Sequence, residues 1–458
     1  MGRRSRERSN HREGRISINL APAANTNRSL VLELYDAAIA AAAPAEATAR
    51  AVDALSIARA SRVWVFAFGK AAQPMAAAAT ASLQRGLHAI IGGVVVSPEG
   101  GPAPYPTIVS VRGDHPIPGR NSFAAAAKVG EVTPGRRSND VAIVLLSGGA
   151  SSLIAAPLRG MNEADLSLLF EQLLGSGLDI VAMNAVRKRF SQWSAGRLAL
   201  ALAPAATHCL AISDVPDDDL SVIGSGPCVP DSVTVKDVSD ILQRANLLTR
   251  IPQTYRDYLG AVGRGLIPET PTKAHPAFAH VSARVIGNNR QALDGIAAHG
   301  KERSLLVEVA DKRTTGEAAR VGETIARALI AARAAGPGRC MVWGGETTVT
   351  VAANAGHPSG GGRCQELALA AARVLHDAGE NAAGITLLAA GTDGRDGATD
   401  AAGAIVDSTT WAAIAAGGRD PSQALASHES HGALRAGNAL IPQRETGTNV
   451  NDVMIGVV

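Results

Sequence analysis

The stretch from Asp140 to Leu153, DVAIVLLSGGASSL, constrains the chain more than any other. Val141 to Leu146 is an unbroken aliphatic run, too short for a comfortable helix and continuous enough for a strand covered on both faces. It stops at Ser147-Gly148-Gly149, where two glycines permit a sharp turn, and Ser151 or Ser152 can cap a following helix. Such a strand–glycine–helix junction belongs to an α/β sheet and turns backbone N–H groups and a helix N-terminus toward an anion. Ser147, Gly148, Gly149, Ala150, Ser151 and Ser152 are therefore candidate phosphate- or substrate-binding residues. Taken alone, the stretch reads equally well as a simple βα turn.

The weight shifts because similar junctions recur with charged residues attached. Val63 to Phe68, VWVFAF, reads as a strand that ends at Gly69-Lys70 before an alanine-rich helix. A lysine at a helix mouth is electrostatically misplaced unless an anion compensates it, and ligands of open α/β sheets bind at this strand edge. The P-loop pattern is absent, since Ala71 follows Lys70. Asp214 follows the expected strand His208 to Ile212, Asp393 follows Ile385 to Ala389, and Glu346 follows Cys340 to Trp343. The loop His357-Pro358-Ser359-Gly360-Gly361-Gly362 opens into Arg363, a second cation at a glycine-rich helix start, and Thr348 to Ala352 alternates as a strand. Asn184 and Arg187 share one side of a helix expected over 179–203, most of whose charge reads as a solvated face. Asp114 and His115, in GDHPIP, either touch a substrate or pin their loop.

Length and composition bound the organisation. With 458 residues, 46% of them apolar, the chain holds two or three ordinary domains. Arg3, Arg4, Arg6, Arg8, Arg12 and Arg15 face only Glu7 and Glu13, so residues 1–28 are expected to form a disordered basic arm. The proline-rich run 265–278 reads as a linker between an N-terminal domain, 29–270, and a C-terminal α/β region, 279–458. The formal net charge is only +3 and is concentrated in the arm, so the folded body lacks the basic stripe of a nucleic-acid binder. No apolar run of about 18 residues suggests a membrane span, and the arm lacks the apolar core of a signal peptide. The four cysteines, Cys209, Cys228, Cys340 and Cys364, are widely separated, which argues against a disulfide framework or zinc site and for the cytoplasm. His428-Glu429-Ser430-His431 has the wrong spacing for H-E-x-x-H.

Two cations at helix mouths, glycine-rich cradles and post-strand carboxylates together suit phosphoryl transfer to a small anionic molecule. A nicotinamide enzyme should carry G-x-G-x-x-G after a strand, and neither SGGASS nor GGGRCQ has that spacing. No G-x-S-x-G elbow marks an α/β-hydrolase.

The ordered set VFAFGKAA, GDHPIP, LLSGGASSL, MNAVRKRFS, ISDVPDDD with GSGP, GGETTV, GGRCQELALA, GTDGRDGATDAAGA and TGTNVND resembles the glycerate 2-kinase family with a C-terminal MOFRL domain. The resemblance covers about residues 29–452, with the MOFRL part at about 339–452. It implies an N-terminal Rossmann-like doubly wound domain, a smaller C-terminal α/β domain, and ATP- and Mg²⁺-dependent phosphorylation of D-glycerate, or a related hydroxy acid, to 2-phosphoglycerate. It leaves room for a homodimer. Carried over by position, Lys70 and Arg363 are expected to be catalytic, with Asp214 beside them. Asp214 and Asp393 are each candidates for carrying Mg²⁺ or for orienting the 2-hydroxyl, and Asn184, Arg187, Glu346, Gly361 and Gly362 are expected to contact phosphate or substrate. The alternatives are a hydroxypyruvate reductase using NAD(P)H, a label often given to members, and a weakened sugar-acid-binding paralogue. The second rests on departures from the family pattern at Gly119, Ala150, Ala182, Ser194 and Cys364.

Overall fold

The computed structural model describes residues 22–350 and 360–458. Most of the expected arm, Val351 and Ala352, and His357-Pro358-Ser359 lie outside the described residues. Within them, two six-stranded sheets organise the chain. The first contains β1 (Arg62–Phe68), β2 (Ala89–Ser97), β3 (Ile108–Arg112), β4 (Asp140–Leu146), β5 (Ala206–Ile212) and β6 (Val281–Gly287). All are parallel, in the order β3-β2-β1-β4-β5-β6, which is the order of a doubly wound sheet. β4 is buried along its whole length, as its unbroken aliphatic run predicts.

This order places a topological switch between β1 and β4, because the chain first builds outward to β3 and then returns. The loops after β1 and β4 therefore meet. The Lys70 amide donates to the Gly148 carbonyl at 2.9 Å, the Ser147 amide to the Phe68 carbonyl at 3.0 Å, and the Ala71 amide to the Ser147 hydroxyl at 3.0 Å. Gly69 has φ +128°, and a Cβ there would overlap Ser147, so only glycine permits this approach.

The second sheet is mixed, with β7 (Leu306–Val309), β8 (Arg339–Gly345), β9 (Thr386–Gly391), β10 (Ala401–Asp407), β11 (Leu440–Pro442) and β12 (Asp452–Val457). Its order is β11-β10-β9-β12-β8-β7, and only β7 with β8 is parallel. One buried apolar cluster runs through both sheets, joining Val65 and Ile143 of the first to Leu388 and Ile455 of the second. Helices Pro22–Ala41 and Asn289–Glu302 contribute to it, and a Cβ at Gly295 would overlap Ala41, so small residues set how closely these helices pack. Tyr35 fixes the first helix on the second sheet by donating to the Gly391 carbonyl at 2.5 Å.

Three expectations change here. The arm gives way to helix at Pro22, so 22–28 is ordered, and Pro44 starts a second helix. β6, placed by the linker in the C-terminal region, pairs with β5 and completes the first sheet. A proline-rich stretch marks a loop but carries no information about which strand pairs next. The 179–203 helix is two helices, Ile180–Phe190 and Arg197–Leu202. The Arg197 guanidinium fills the gap by donating to the carbonyls of Lys188, Arg189 and Ser191 at the first helix's end.

Replacing Tyr35 by Phe removes one of two donors from the buried Gly391 carbonyl, which keeps the Gly394 amide at 3.0 Å. The variant should lose about 1–2 kcal/mol in urea unfolding, with the fold and the denaturant slope unchanged.

Candidate active site

The switch point opens into a cleft of about 410 Å³ that both halves of the molecule line. Lys70, Gly148, Gly149, Ser151, Ser152, Asn184, Arg187 and Asp214 line it from the first sheet's side, and Glu346 from the second. Residues dispersed through the sequence thus converge as expected. The remaining members of the glycine junction do not. Ser147 is buried behind the cleft, its hydroxyl engaged by Ala71, and Ala150 is fully buried. The helix after the glycines, Ala150–Leu153, is a single turn. Its macrodipole is correspondingly small, and the cleft's attraction for anions rests on side-chain cations instead.

Those cations are Lys70 and Arg187. The expectation that the charge near Arg187 faces solvent is wrong. Asn184, Arg187, Lys188 and Arg189 are all buried, while Ile180 and Val181 of the same helix are exposed. Lys188 and Arg189 are matched by Asp231 at 2.7 Å and by Glu269. Among the described residues Arg187 has no carboxylate partner. It is 8% exposed, its Nε and Nη2 find no acceptor, and it lies over the Phe170 ring at 4.8 Å. Burial lowers its pKa without removing its charge from the neutral range. A buried guanidinium without an anion is costly, and a ligand carboxylate or phosphate would relieve it.

Asp214 follows β5 and packs against Gly148, where a Cβ would overlap its carboxylate. Burial raises its pKa, Lys70 and a backbone hydrogen bond oppose the rise, and Glu346 adds to it. Glu346 is likewise raised, first by burial, with Arg363 opposing. His115 also lines the cleft, whereas Asp114 pins the loop by accepting from the Asn121 amide and side chain at 2.9 and 2.8 Å. The two readings of that dipeptide therefore divide between its residues. Burial, then Lys70 and Arg187, lower the His115 pKa to about 4, so its imidazole is neutral at pH 7.

Arg363 sits at the start of helix Arg363–Asp377, in an adjoining cavity of about 390 Å³ that shares Glu346 with the cleft. It makes two bonds to Asp452, at 2.6 and 2.8 Å, and meets Glu346 at 3.2 Å. Burial opposes its charge, but the Asp452 hydrogen bonds and charge outweigh it and hold the guanidinium above its ordinary pKa. The glycines before it are not an open anion cradle. The amides of Cys364 and Gln365 donate to Asp396, and a Cβ at Gly361 or Gly362 would overlap Ser430 or Asp396. Asp393 is absent from the lining of either cavity and accepts from the Arg395 amide at 3.0 Å. His428 and His431 bond Glu366 and Gln365, not one another.

Asn451 and Asp452, named in the sequence only within TGTNVND, lock the halves together. Asn451 donates to the Asp214 carbonyl at 2.9 Å and to Glu346 at 2.8 Å, and accepts from Arg313 at 2.9 Å. Asp452 next to it is fully buried on Arg363. The signal was TGTNVND itself, where an Asn-x-Asn-Asp run directly precedes an apolar strand.

The family model described as a domain of unknown function, DUF4147, matches residues 30–260, and the MOFRL family model matches residues 339–452. A D-glycerate 2-kinase of Thermotoga maritima is 36% identical over 94% of this chain and 98% of its own. A glycerate 2-kinase of Pyrococcus horikoshii is 33% identical over 87% of each chain. The crystal structure of a Thermotoga maritima glycerate kinase superposes with a TM-score of 0.82, at 35% identity, over 95% of this chain and all of that one, 100%.

The His115 environment generates a pH prediction. Its folded pKa lies below the unfolded value, so the unfolded state takes up the proton first as pH falls. Stability contributed by the neutral imidazole should be complete above about 6.5 and decline toward about 4. NMR should place its titration near 4, and His115→Gln should show a shallower loss of stability across that window.

Proposed function

Because this chain belongs to the glycerate 2-kinase family, we propose that its cleft transfers the γ-phosphoryl group of ATP to the 2-hydroxyl of D-glycerate. The observation that carries the reading is the pairing of two cations, Lys70 and the unpartnered Arg187, with the raised carboxyl of Asp214 at the switch point. Arg187 and Asn184 hold the glycerate carboxylate. Lys70 neutralises charge on the transferring group, worth most when it is already in place before the reaction. Asp214 orients the 2-hydroxyl and receives its proton as the oxygen attacks the γ-phosphorus. The bond from that phosphorus to the ADP oxygen breaks, and ADP leaves with the electron pair.

Arg363 enters through exchange of partners. Its Asp452 bonds fix the guanidinium plane, and the longer contact to Glu346 is the one a phosphate oxygen would replace. Asp214 and Glu346 both have raised pKa values, chiefly through burial, and the charge of Glu346 adds to the rise at Asp214, so the pair fits a cation. Mg²⁺ sites of this chemistry use one or two carboxylates together with substrate phosphates. Among the described residues no cluster of three or more metal-ligating side chains provides a fuller cage. When bound there, Mg²⁺ would neutralise the β- and γ-phosphate oxygens. Asp393, engaged by its own loop, is the weaker candidate.

Three of the five departures have a structural place that leaves Lys70, Arg187 and Asp214 undisturbed. Ser194 is buried under the helix end outside the cleft lining, Cys364 is buried outside it too, and Gly119 leaves room for Asp114. Reduction of hydroxypyruvate would need a dinucleotide cradle, and the β1 and β4 junctions lack its glycine spacing. All four cysteines are free and buried, in keeping with a cytoplasmic enzyme.

The test is release of ADP from ATP, Mg²⁺ and D-glycerate, with NADH and hydroxypyruvate assayed in parallel. Glycerate-dependent release without NADH oxidation is expected, and NADH oxidation alone would overturn the reading. Lys70→Ala should lower kcat by ~10²–10³. Arg187→Ala should raise the glycerate KM about tenfold or more while the ATP KM stays within a factor of about two.

A further inference from the structure

D-Glycerate carries a carboxylate, a 2-hydroxyl and a 3-hydroxyl, and the groups placed so far hold only the first two. The 3-hydroxyl is what separates it from other small 2-hydroxy acids. A hydroxyl both donates and accepts, whereas lysine and arginine only donate and ionised carboxylates only accept. A neutral imidazole, with one donor and one acceptor, is its natural complement.

The serines of the cleft are already committed. The Ser151 hydroxyl bonds that of Ser225 at 2.7 Å, and the Ser152 hydroxyl donates to the Gly149 carbonyl at 3.2 Å. His115 differs from them. It lines the cleft with surface open to it, and its ring makes no hydrogen bond to another described residue. The glycine turn fixes its place. A Cβ on Gly149 would stand 2.9 Å from the imidazole Cδ2 and 3.2 Å from Nε2, with Lys70 Cγ at 3.7 Å, whereas a Cβ on Gly148 would overlap the Asp214 carboxylate. Two successive residues, with Cα atoms about 3.8 Å apart, therefore gather the imidazole and the carboxylate at one turn, as hydroxyls on adjacent carbons require. Withdrawal of the ring from bulk water, then Lys70 and Arg187, keep it neutral at pH 7, so it does not compete with those cations for an anion.

We propose that His115 is a substrate-contacting specificity residue, its imidazole hydrogen-bonded to the 3-hydroxyl of D-glycerate while Asp214 faces the 2-hydroxyl. The inference rests on the kinase reading above and deepens it. The two hydroxyls are thereby told apart. A carboxylate can take the proton of the attacking oxygen, whereas an imidazole flanked by two cations takes a proton poorly, so the oxygen it holds stays a bystander. With Arg187 and Asn184 on the carboxylate, three substituents of carbon 2 are each held, which is what selecting one enantiomer requires.

D-Lactate, which is D-glycerate without the 3-hydroxyl, tests the contact as a competitive inhibitor of glycerate-dependent ADP release and need not itself be phosphorylated. In the wild type its inhibition constant should exceed the D-glycerate KM about 10- to 100-fold, because the imidazole is left unpaired. His115→Ala and His115→Leu, the second keeping bulk against Gly149, should raise the glycerate KM and narrow that gap to about threefold or less. The lactate inhibition constant and the ATP KM should each stay within a factor of about two. Equal constants in the wild type, or a gap unchanged in both variants, would overturn the assignment. So would a parallel rise for glycerate and lactate, the mark of a merely structural residue, or a rise in the ATP KM alone, which would put the imidazole on the phosphoryl donor. Glycerate-dependent ADP release alongside equal constants would leave the kinase reading intact, and absence of release in the wild type would remove both.

Discussion

The bonds from Arg363 to Asp452 are the interaction on which the rest of the site depends. Asp452 begins β12 at the centre of the second sheet, flanked by Gly345 and Gly391, so the guanidinium is held against rigid backbone. Residues on either side of that pair extend it. Asn451 ties Glu346 to the Asp214 backbone, and Asn289 donates to the carbonyls of Val450 and Asp452. A chain of hydrogen bonds therefore runs from the C-terminal edge of the first sheet to the edge of the second where β8 and β9 end and β12 begins. Removing one partner would leave a buried charge unmatched, which is far more disruptive than losing a surface pair.

Around this strut the charge is divided. On one side stand Lys70 and an arginine with no anion; on the other stand carboxylates that exceed their cations. Glu346 lines both. The long apolar cluster that joins the sheets gives the division its permanence, because neither half can shift without disturbing shared packing.

The parts of this arrangement that were legible in the sequence are those governed by local rules. Lys70, Asp214 and Glu346 follow strands whose aliphatic runs are unmistakable, and strand ends in an open sheet face the ligand. Arg187 was singled out for a face shared with Asn184, while its helix was misjudged as solvated. The partners that neutralise Lys188 and Arg189 lie on distant loops, which no local pattern encodes. Gly361 and Gly362 misled in the other direction, since a glycine made necessary by Ser430 or Asp396 looks the same as one that admits a phosphate. β6 was assigned to the wrong half because strand pairing is non-local. Asp452 and Glu366 escaped because a buried carboxylate is recognised by its partners, and those come from elsewhere in the chain.

The account's central claim is that this cleft directs a phosphoryl group onto the 2-hydroxyl of D-glycerate, and the phosphorus NMR spectrum of the product tests it most directly. Coupling to the single hydrogen on carbon 2 would split the proton-coupled phosphorus signal of the new ester into a doublet, which is the predicted result. A triplet, the mark of a phosphate on the terminal CH₂, or no new phosphate ester at all, would contradict it.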